Sequence, residues 1–319
     1  MALPIVILLF GLIFLLLYSA NMIVASMRQV ASVNHTSVFV LSAIFLATAT
    51  SLPELSVAVN SGLAGNSDLS LGNILGSNIT NLTLISGAAA LMGGGVAVHG
   101  KLFRREIYLA GIAGILPLLL AIDNTLSRGD GVVLIILWFI YLAHFFHIKF
   151  ADISREFREK GFWHRFLHKI EAEEKQGAGK FLVGVVLLML SSYFIVRLSG
   201  NLSADAGISL IIVGMLVIAV GTTLPELIFS YKTIRAGEPV MFLGNILGSI
   251  ITNSTLILGI ASVLSPVSIN FSIFKIGIMF VLIYTLFWYF IGKEKHIARR
   301  EALILLIVYL AFVFIVGRQ

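Results

Sequence analysis

One short polar cassette occurs twice in this chain, at a constant offset of 172 residues, and both copies lie in apolar surroundings. The first copy contains TSLPEL (50–55) and GNILGS (72–77), and the second contains TTLPEL (222–227) and GNILGS (244–249). Positions 50–87 and 222–259 agree at 21 of 38 places without a gap. This repeat indicates an internal duplication that places one acid in each copy.

The composition belongs to a membrane protein. The 319 residues are 58% hydrophobic and 12% charged, and the mean hydropathy is +1.01. A helix needs about 20 apolar residues to cross a bilayer, and runs of this length are too long for transmembrane strands. Such runs predict ten spans, near 3–30, 37–62, 69–93, 103–122, 129–149, 181–200, 208–234, 240–264, 271–292 and 298–317.

Basic residues are distributed unevenly around these spans. If the N-terminus lies outside, 18 Lys and Arg residues fall on the inner side and four on the outer side, namely Arg128, Arg197, Lys275 and Arg318. Because basic loops concentrate on the cytoplasmic side, this pattern predicts a multi-pass protein of the cell membrane with both termini outside.

Five predicted spans precede the polar segment at 151–179 and five follow it. Since five is odd, the second half enters the membrane in the opposite sense to the first. The predicted fold is an all-α integral membrane protein with ten transmembrane helices in two inverted-topology repeats and broken helices at the midplane. The repeats are 1–150, with its cassette at 47–87, and 180–319, with its cassette at 219–259, joined by a cytoplasmic linker at 151–179.

Glu54 and Glu226 are acids inside apolar spans. A charged carboxylate at the centre of a bilayer costs about 3 kcal/mol on insertion scales, so such residues mark functional sites or have partners. A lone acid could be held by a neighbouring helix. Two acids at equivalent positions, each in a Thr-rich and Pro-containing motif, favour a functional site.

The prolines of the cassettes supply a second feature. Pro53 and Pro225 have no backbone N–H and kink a helix, which frees carbonyl groups near Ala49 and Gly221. Carbonyl, hydroxyl and carboxylate oxygens are the ligands of hard cations such as calcium. The cassettes therefore predict a cation site.

The Gly-Asn motifs extend each cassette. The glycines at spacing four allow close helix packing. Ser77 and Asn81 are four residues apart, as are Ser249 and Asn253, so each pair lies on one helical face. Facing the acids, these side chains would add oxygen donors, although helix packing alone would also use them.

The paired cassettes resemble those of the cation/calcium antiporter superfamily, most closely its sodium/calcium exchanger branch, over both repeats and the ten-helix layout. The resemblance implies that Glu54 and Glu226 coordinate calcium with backbone oxygens of Thr50 and Thr222, and that the same acids help to bind sodium. It implies flanking sodium positions formed by Ser51, Thr223, Ser77, Asn81, Ser249, Asn253 and the carbonyls of Ala47 and Ala219. The resemblance also implies that the spans at 3–30 and 181–200 are the counterparts of two long helices that slide across a fixed core in that family.

The chain departs from the family pattern at a few positions. Many relatives have Asp where Asn253 stands, whereas this chain has Asn in both halves, which leaves two carboxylates at the site. Two charges match one calcium ion or two sodium ions. The equivalents of Asn78 and Ala49 in the second half are Ile250 and Gly221.

These features predict a secondary active antiporter that exchanges Ca²⁺ for Na⁺ by alternating access. The close alternative is proton-coupled antiport of calcium or another cation, with the proton carried by Glu54 or Glu226. A cation channel and an intramembrane enzyme are disfavoured by the internal repeat and by the absence of zinc-protease and P-loop motifs. The expected partners are the transported ions and the bilayer, with no cofactor and no nucleic acid, and one chain suffices for transport.

Overall fold

The computed structural model describes residues 2–31, 47–97, 101–153, 175–235, 239–269, 271–294 and 296–318. These residues are almost entirely helical, with four two-residue strands between helices. Most of the predicted linker at 151–179 and the first part of the predicted span at 37–62 lie outside them.

The first half of the chain places its cassette on a series of short helices that follow one long helix. In order, its elements are α1 (Ala2–Ala31), α2 (Ala47–Thr50), α3 (Leu52–Leu63), α4 (Ser67–Thr80), a π-helical turn (Asn81–Ile85), α5 (Ser86–Gly93), β1 (Val96–Ala97), α6 (Lys101–Leu120), a 3-10 turn (Ala121–Asp123), β2 (Thr125–Leu126) and α7 (Arg128–Ile153).

The second half follows the same order. Its elements are α8 (Lys175–Ala206), α9 (Leu210–Val213), a π-helical turn (Gly214–Ile218), α10 (Ala219–Thr222), α11 (Leu224–Arg235), α12 (Pro239–Thr252), a π-helical turn (Asn253–Ile257), α13 (Leu258–Leu264), β3 (Val267–Ser268), α14 (Phe271–Glu294), β4 (His296–Ile297) and α15 (Arg299–Val316).

The described helices establish a multi-pass integral membrane protein. Six segments are long and apolar enough to cross a bilayer, namely Ser67–Gly93, Arg105–Asp123, Leu182–Ala206, Leu210–Arg235, Met241–Leu264 and Ile273–Ile291. Helices α1, α7 and α15 coincide with three further predicted spans, at 3–30, 129–149 and 298–317. The total of ten spans and the inverted orientation of the halves remain predictions.

Equivalent positions in the two cassettes have the same local structure. Helix α2 is separated from α3 at Ser51 (φ −84°, ψ 8°), and α10 is separated from α11 at Thr223 (φ −85°, ψ 1°). The cause is the Leu-Pro pair that follows each position, because proline cannot donate to the preceding turn. π-Helical turns, which often occur at functional sites, begin at Asn81 and at Asn253.

The cassettes pack across the two halves. Helix α4 crosses the segment from α9 to α10, and α12 packs against α2. The first crossing is close because it is lined by glycine: a Cβ on Gly76 would lie 2.6 Å from the carbonyl oxygen of Met215, and a Cβ on Gly214 would lie 2.6 Å from that of Leu69. These contacts bring the broken helix of one half beside the Gly-Asn motif of the other.

The long helices α1 and α8 pack extensively against each other at the side of this core. Together with Val57, Leu69 and Ile218 they form a small apolar cluster, distinct from the large cluster that fills the rest of the molecule. Two short antiparallel ladders, β1 with β4 and β2 with β3, connect the halves elsewhere.

Candidate ion-binding site

The carboxylates of Glu54 and Glu226 lie in the interior, each with 0% of its surface exposed. Each occupies the first turn of the helix that follows a cassette break, where the partial positive charge of a helix N-terminus favours an anion. The carboxylates of Glu54 and Glu226 lie close enough to interact electrostatically. Among the described side chains, neither carboxylate has a basic partner.

The hydroxyl groups around Glu54 come from both halves. Ser77 Oγ donates to Glu54 Oε1 over 3.4 Å and lies 3.5 Å from Thr222 Oγ1. The Thr222 hydroxyl also faces the Glu54 carboxylate. Glu54 Oε2 has no hydrogen-bond partner among the described atoms.

Glu226 has the equivalent neighbours. The hydroxyls of Thr50 and Ser249 face its carboxylate, but both of its oxygens lack hydrogen-bond partners among the described atoms. The buried hydroxyl oxygen of Ser249 is also without a described partner. Burial of charged oxygens without donors is costly, and a bound cation would remove that cost.

Two equivalent hydrogen bonds connect the halves. Thr50 Oγ1 donates to Asn245 Oδ1 over 3.2 Å, and Thr222 Oγ1 donates to Asn73 Oδ1 over 3.2 Å. The pairs are related by the offset of 172 residues. Asn73 and Asn245 were not among the predicted site residues, although their identity in both GNILGS motifs was a usable signal.

The predicted asparagines occupy the starts of two of the three described π-helical turns. Asn81 and Asn253 are fully buried. Both amide atoms of Asn81 lack described partners, whereas Asn253 Nδ2 donates to Asn78 Oδ1 over 3.1 Å. Asn78 was not predicted as a site residue.

The remaining predicted residues line the breaks. The buried Ser51 hydroxyl has no described partner, while Thr223 Oγ1 donates to the carbonyl of Ala219 over 2.9 Å. That carbonyl also accepts a bond from the Thr223 amide (3.1 Å) and lies 3.3 Å from the Thr222 hydroxyl oxygen. The carbonyl of Ala47 accepts from the Ser51 amide (3.0 Å) and lies 3.2 Å from the Thr50 hydroxyl oxygen.

The structure thus places hydroxyl groups beside the two acids, namely those of Thr50, Ser77, Thr222 and Ser249, and amide oxygens one hydrogen bond further away. No group of three or more His, Cys, Asp and Glu side chains suited to a metal ion occurs in the described part of the chain. The site therefore offers two negative charges and many neutral oxygens, a combination suited to calcium or sodium.

Comparisons with known proteins agree with this chemistry. The model of the family described as "Sodium/calcium exchanger protein" matches residues 4–147 and 177–318. The sodium/calcium exchanger MaX1 of Methanosarcina acetivorans is 27% identical in an alignment of 341 residues, which covers 97% of each chain. The inner membrane protein YrbG of Escherichia coli is 29% identical over 258 residues, 80% of this chain and 78% of that protein.

Solved structures of the sodium-calcium exchanger NCX_Mj have the same fold. One of them, soaked with 2.5 mM Na⁺ and 1 mM Sr²⁺, superposes with a TM-score of 0.64 and 24% identity over 98% of each chain.

We expect calcium to raise the unfolding temperature of the purified parent protein and to have little effect on Glu54→Gln or Glu226→Gln. In cation-free buffer both variants should unfold at or above the parent's temperature, because each removes a buried charge that lacks a partner. The measurement is thermal unfolding in detergent at several calcium concentrations.

Glu106→Gln is the matched control for this measurement. Glu106 is also buried, but it lies outside the cassettes and accepts a hydrogen bond from Tyr141 Oη over 2.9 Å. Its variant should keep the calcium response of the parent. An equal calcium response in all three variants would contradict the site assignment.

Proposed function

The chain belongs to the sodium/calcium exchanger family, and we propose that it is a secondary antiporter that exchanges Ca²⁺ for Na⁺ across the cell membrane. The proposed ion-binding groups are provided by Glu54, Glu226, Thr50, Thr222, Ser51, Thr223, Ser77, Asn81, Ser249, Asn253, Ala47 and Ala219.

The observation that carries the proposal is the pair of buried carboxylates without a described counter-charge. One calcium ion or two sodium ions would neutralise the pair, so the two kinds of ion would compete for the same acids. Calcium takes six to eight oxygens, which the hydroxyl, amide and carbonyl groups of both cassettes can supply in part. A site that is stable only when occupied would favour reorientation with a bound ion and disfavour it without one.

Alternating access would move the pair α1 and α8 across the core. Both helices contact the broken helices directly. In α10, Gly221 precedes Thr222 and lies against Ile13 of α1. A Cβ on this glycine would lie 2.6 Å from the isoleucine side chain. Both termini would lie outside and the linker at 151–179 inside. Sodium entering down its gradient would then expel calcium.

Proton coupling is the second candidate. It is supported by the carboxylate oxygens without hydrogen-bond partners, Glu54 Oε2 and both oxygens of Glu226, because each of them is a free position for a proton. A protonated acid would lose its attraction for a cation, so a proton could replace sodium as the competing ion.

Proteoliposomes loaded with sodium should take up calcium when they are diluted into sodium-free medium. Glu54→Gln and Glu226→Gln should abolish uptake, because each leaves a single charge for a divalent ion, while Glu106→Gln should retain it. The measurement is radioactive calcium uptake with time.

The same vesicles distinguish the two candidates. Imposed proton or potassium gradients should drive no uptake in the absence of a sodium gradient. Uptake driven by a proton gradient alone would support the second candidate, and robust uptake in both Gln variants would refute the assignment of the acids.

One polar cluster lies between the proposed moving pair and the core. Ser56 in α3 and Ser192 in α8 have their hydroxyl oxygens 2.6 Å apart. Asn60 Nδ2 donates to Ser192 Oγ over 2.7 Å. The cluster attaches α8 to the helix that contains Glu54, so sliding of α8 would have to break it.

A disulfide in this cluster should therefore stop exchange. The chain contains no cysteine, so Ser56→Cys combined with Ser192→Cys introduces one defined pair at a separation compatible with a disulfide. Oxidation should abolish calcium uptake in proteoliposomes, and reduction should restore it.

The control pair is Thr125→Cys with Ser268→Cys, at facing positions of the β2 and β3 ladder. Its disulfide should form and leave exchange unchanged. If the variant with Ser56→Cys and Ser192→Cys exchanged calcium as fast after oxidation as after reduction, α8 would not move relative to α3 during transport.

A further inference from the structure

We propose that Asn78 is a positioning residue, which holds the amide of Asn253 so that its oxygen and not its nitrogen faces the transported cation. This inference rests on the proposed function. Asn78 itself would not touch the ion.

The contacts form a short chain between the two halves. Asn253 Nδ2 donates to Asn78 Oδ1 over 3.1 Å, and Asn78 Nδ2 donates to Ser254 Oγ over 2.8 Å. Asn253 is fully buried, and 2% of Asn78 and 2% of Ser254 are exposed. With its nitrogen engaged, Asn253 has Oδ1 free of any described partner. The two terminal atoms of an amide diverge, so this oxygen points away from Asn78.

The two copies differ where this bridge forms. Segments 71–85 and 243–257 are identical except at two positions: Asn78 is replaced by Ile250, and Leu82 is replaced by Ser254. Each differing position has a polar residue in one half only, Asn78 in the first and Ser254 in the second. These two residues form a hydrogen bond with each other across the halves. The equivalent bridge at the other π-helical turn would need Ile250 and Leu82, whose side chains cannot form hydrogen bonds.

As a result, Asn81 and Asn253, which occupy equivalent positions of the two repeats, differ in their hydrogen-bond partners. The amide of Asn253 is fixed by Asn78, whereas neither amide atom of Asn81 has a described partner. The groups proposed to touch the ion are nearly the same in the two halves. The hydrogen bonds that hold Asn253 and Asn81 in place differ between the halves.

Orientation matters because an amide has two chemically opposite ends. Its oxygen attracts a cation and its NH₂ group repels one, and a half-turn about the last side-chain torsion exchanges them with little change in shape. A carboxylate at position 253 would need no such control, since both of its terminal atoms are oxygens. Groups that orient a metal ligand from outside typically change affinity or activity by about 10- to 100-fold.

The test combines Asn78→Leu with Asn253→Asp in the full-length protein. Calcium and sodium affinities are measured by cation-dependent thermal unfolding and by titration calorimetry, and exchange is measured in proteoliposomes. Asn78→Leu alone should weaken calcium binding by about 10-fold or more. In the Asn253→Asp background the same substitution should change calcium affinity by less than about threefold, because an aspartate at that position presents oxygen in either orientation.

Two further variants separate this role from a general effect on folding. Ile250→Leu, at the equivalent position of the other half, should leave calcium affinity unchanged. If Asn78→Leu does not fold, Ser254→Ala removes only the group that holds Asn78. It should weaken calcium binding less, and Asn253→Asp should again suppress the effect.

Unchanged calcium affinity in folded Asn78→Leu would overturn the inference, as would an equal loss in both backgrounds. A parent protein that binds no calcium and performs no exchange would overturn the proposed function together with this inference. A parent that binds and exchanges normally, with an unaffected Asn78 variant, would overturn this inference alone.

Discussion

The structure depends on two carboxylates buried beside each other in apolar helices. An acid at this depth costs about 3 kcal/mol or more, and a second one nearby adds repulsion. A Lys or Arg beside each acid would neutralise the pair permanently. The side-chain groups found beside Glu54 and Glu226 are instead hydroxyls, including those of Thr50, Ser77 and Thr222. Neutral oxygens leave the negative charge uncompensated, and under the proposed function a transported cation would compensate it.

The helix breaks, glycines and prolines serve that requirement. At each break, the carboxylate lies at the start of one helix, next to the carbonyl groups at the end of the preceding helix. The close helix crossings bring oxygens of the second half near the acid of the first half. Gly221 replaces the Ala49 of the first cassette where the side chain of Ile13 approaches. This departure therefore has a packing reason: α1 reaches the core next to the site on that side.

Much of this could be predicted from the sequence, because a repeated motif reports on local structure. The Leu-Pro pairs predicted kinks near Ala49 and Gly221, and the structure has the breaks two residues later, at Ser51 and Thr223. The spacing of Ser77 and Asn81 predicted a shared helical face. The partners across the halves could not be predicted, since periodicity gives the face of a helix and not its neighbour. The bonds of Thr50 to Asn245 and of Asn78 to Ser254 are of this kind. The sequence also suggested a more symmetric pair of asparagines than the contacts of Asn81 and Asn253 reveal.

Under the proposed function, one divalent cation bridges Glu54 and Glu226. The most direct test is a crystal structure of the protein soaked in strontium, with the ion located by its anomalous scattering. A bridging ion would give one dominant peak within about 2.3–2.6 Å of carboxylate oxygens from both residues, the range for calcium-like ions, and the peak would be lost when sodium replaces strontium. A dominant peak that touches neither carboxylate would rule out a bridging cation.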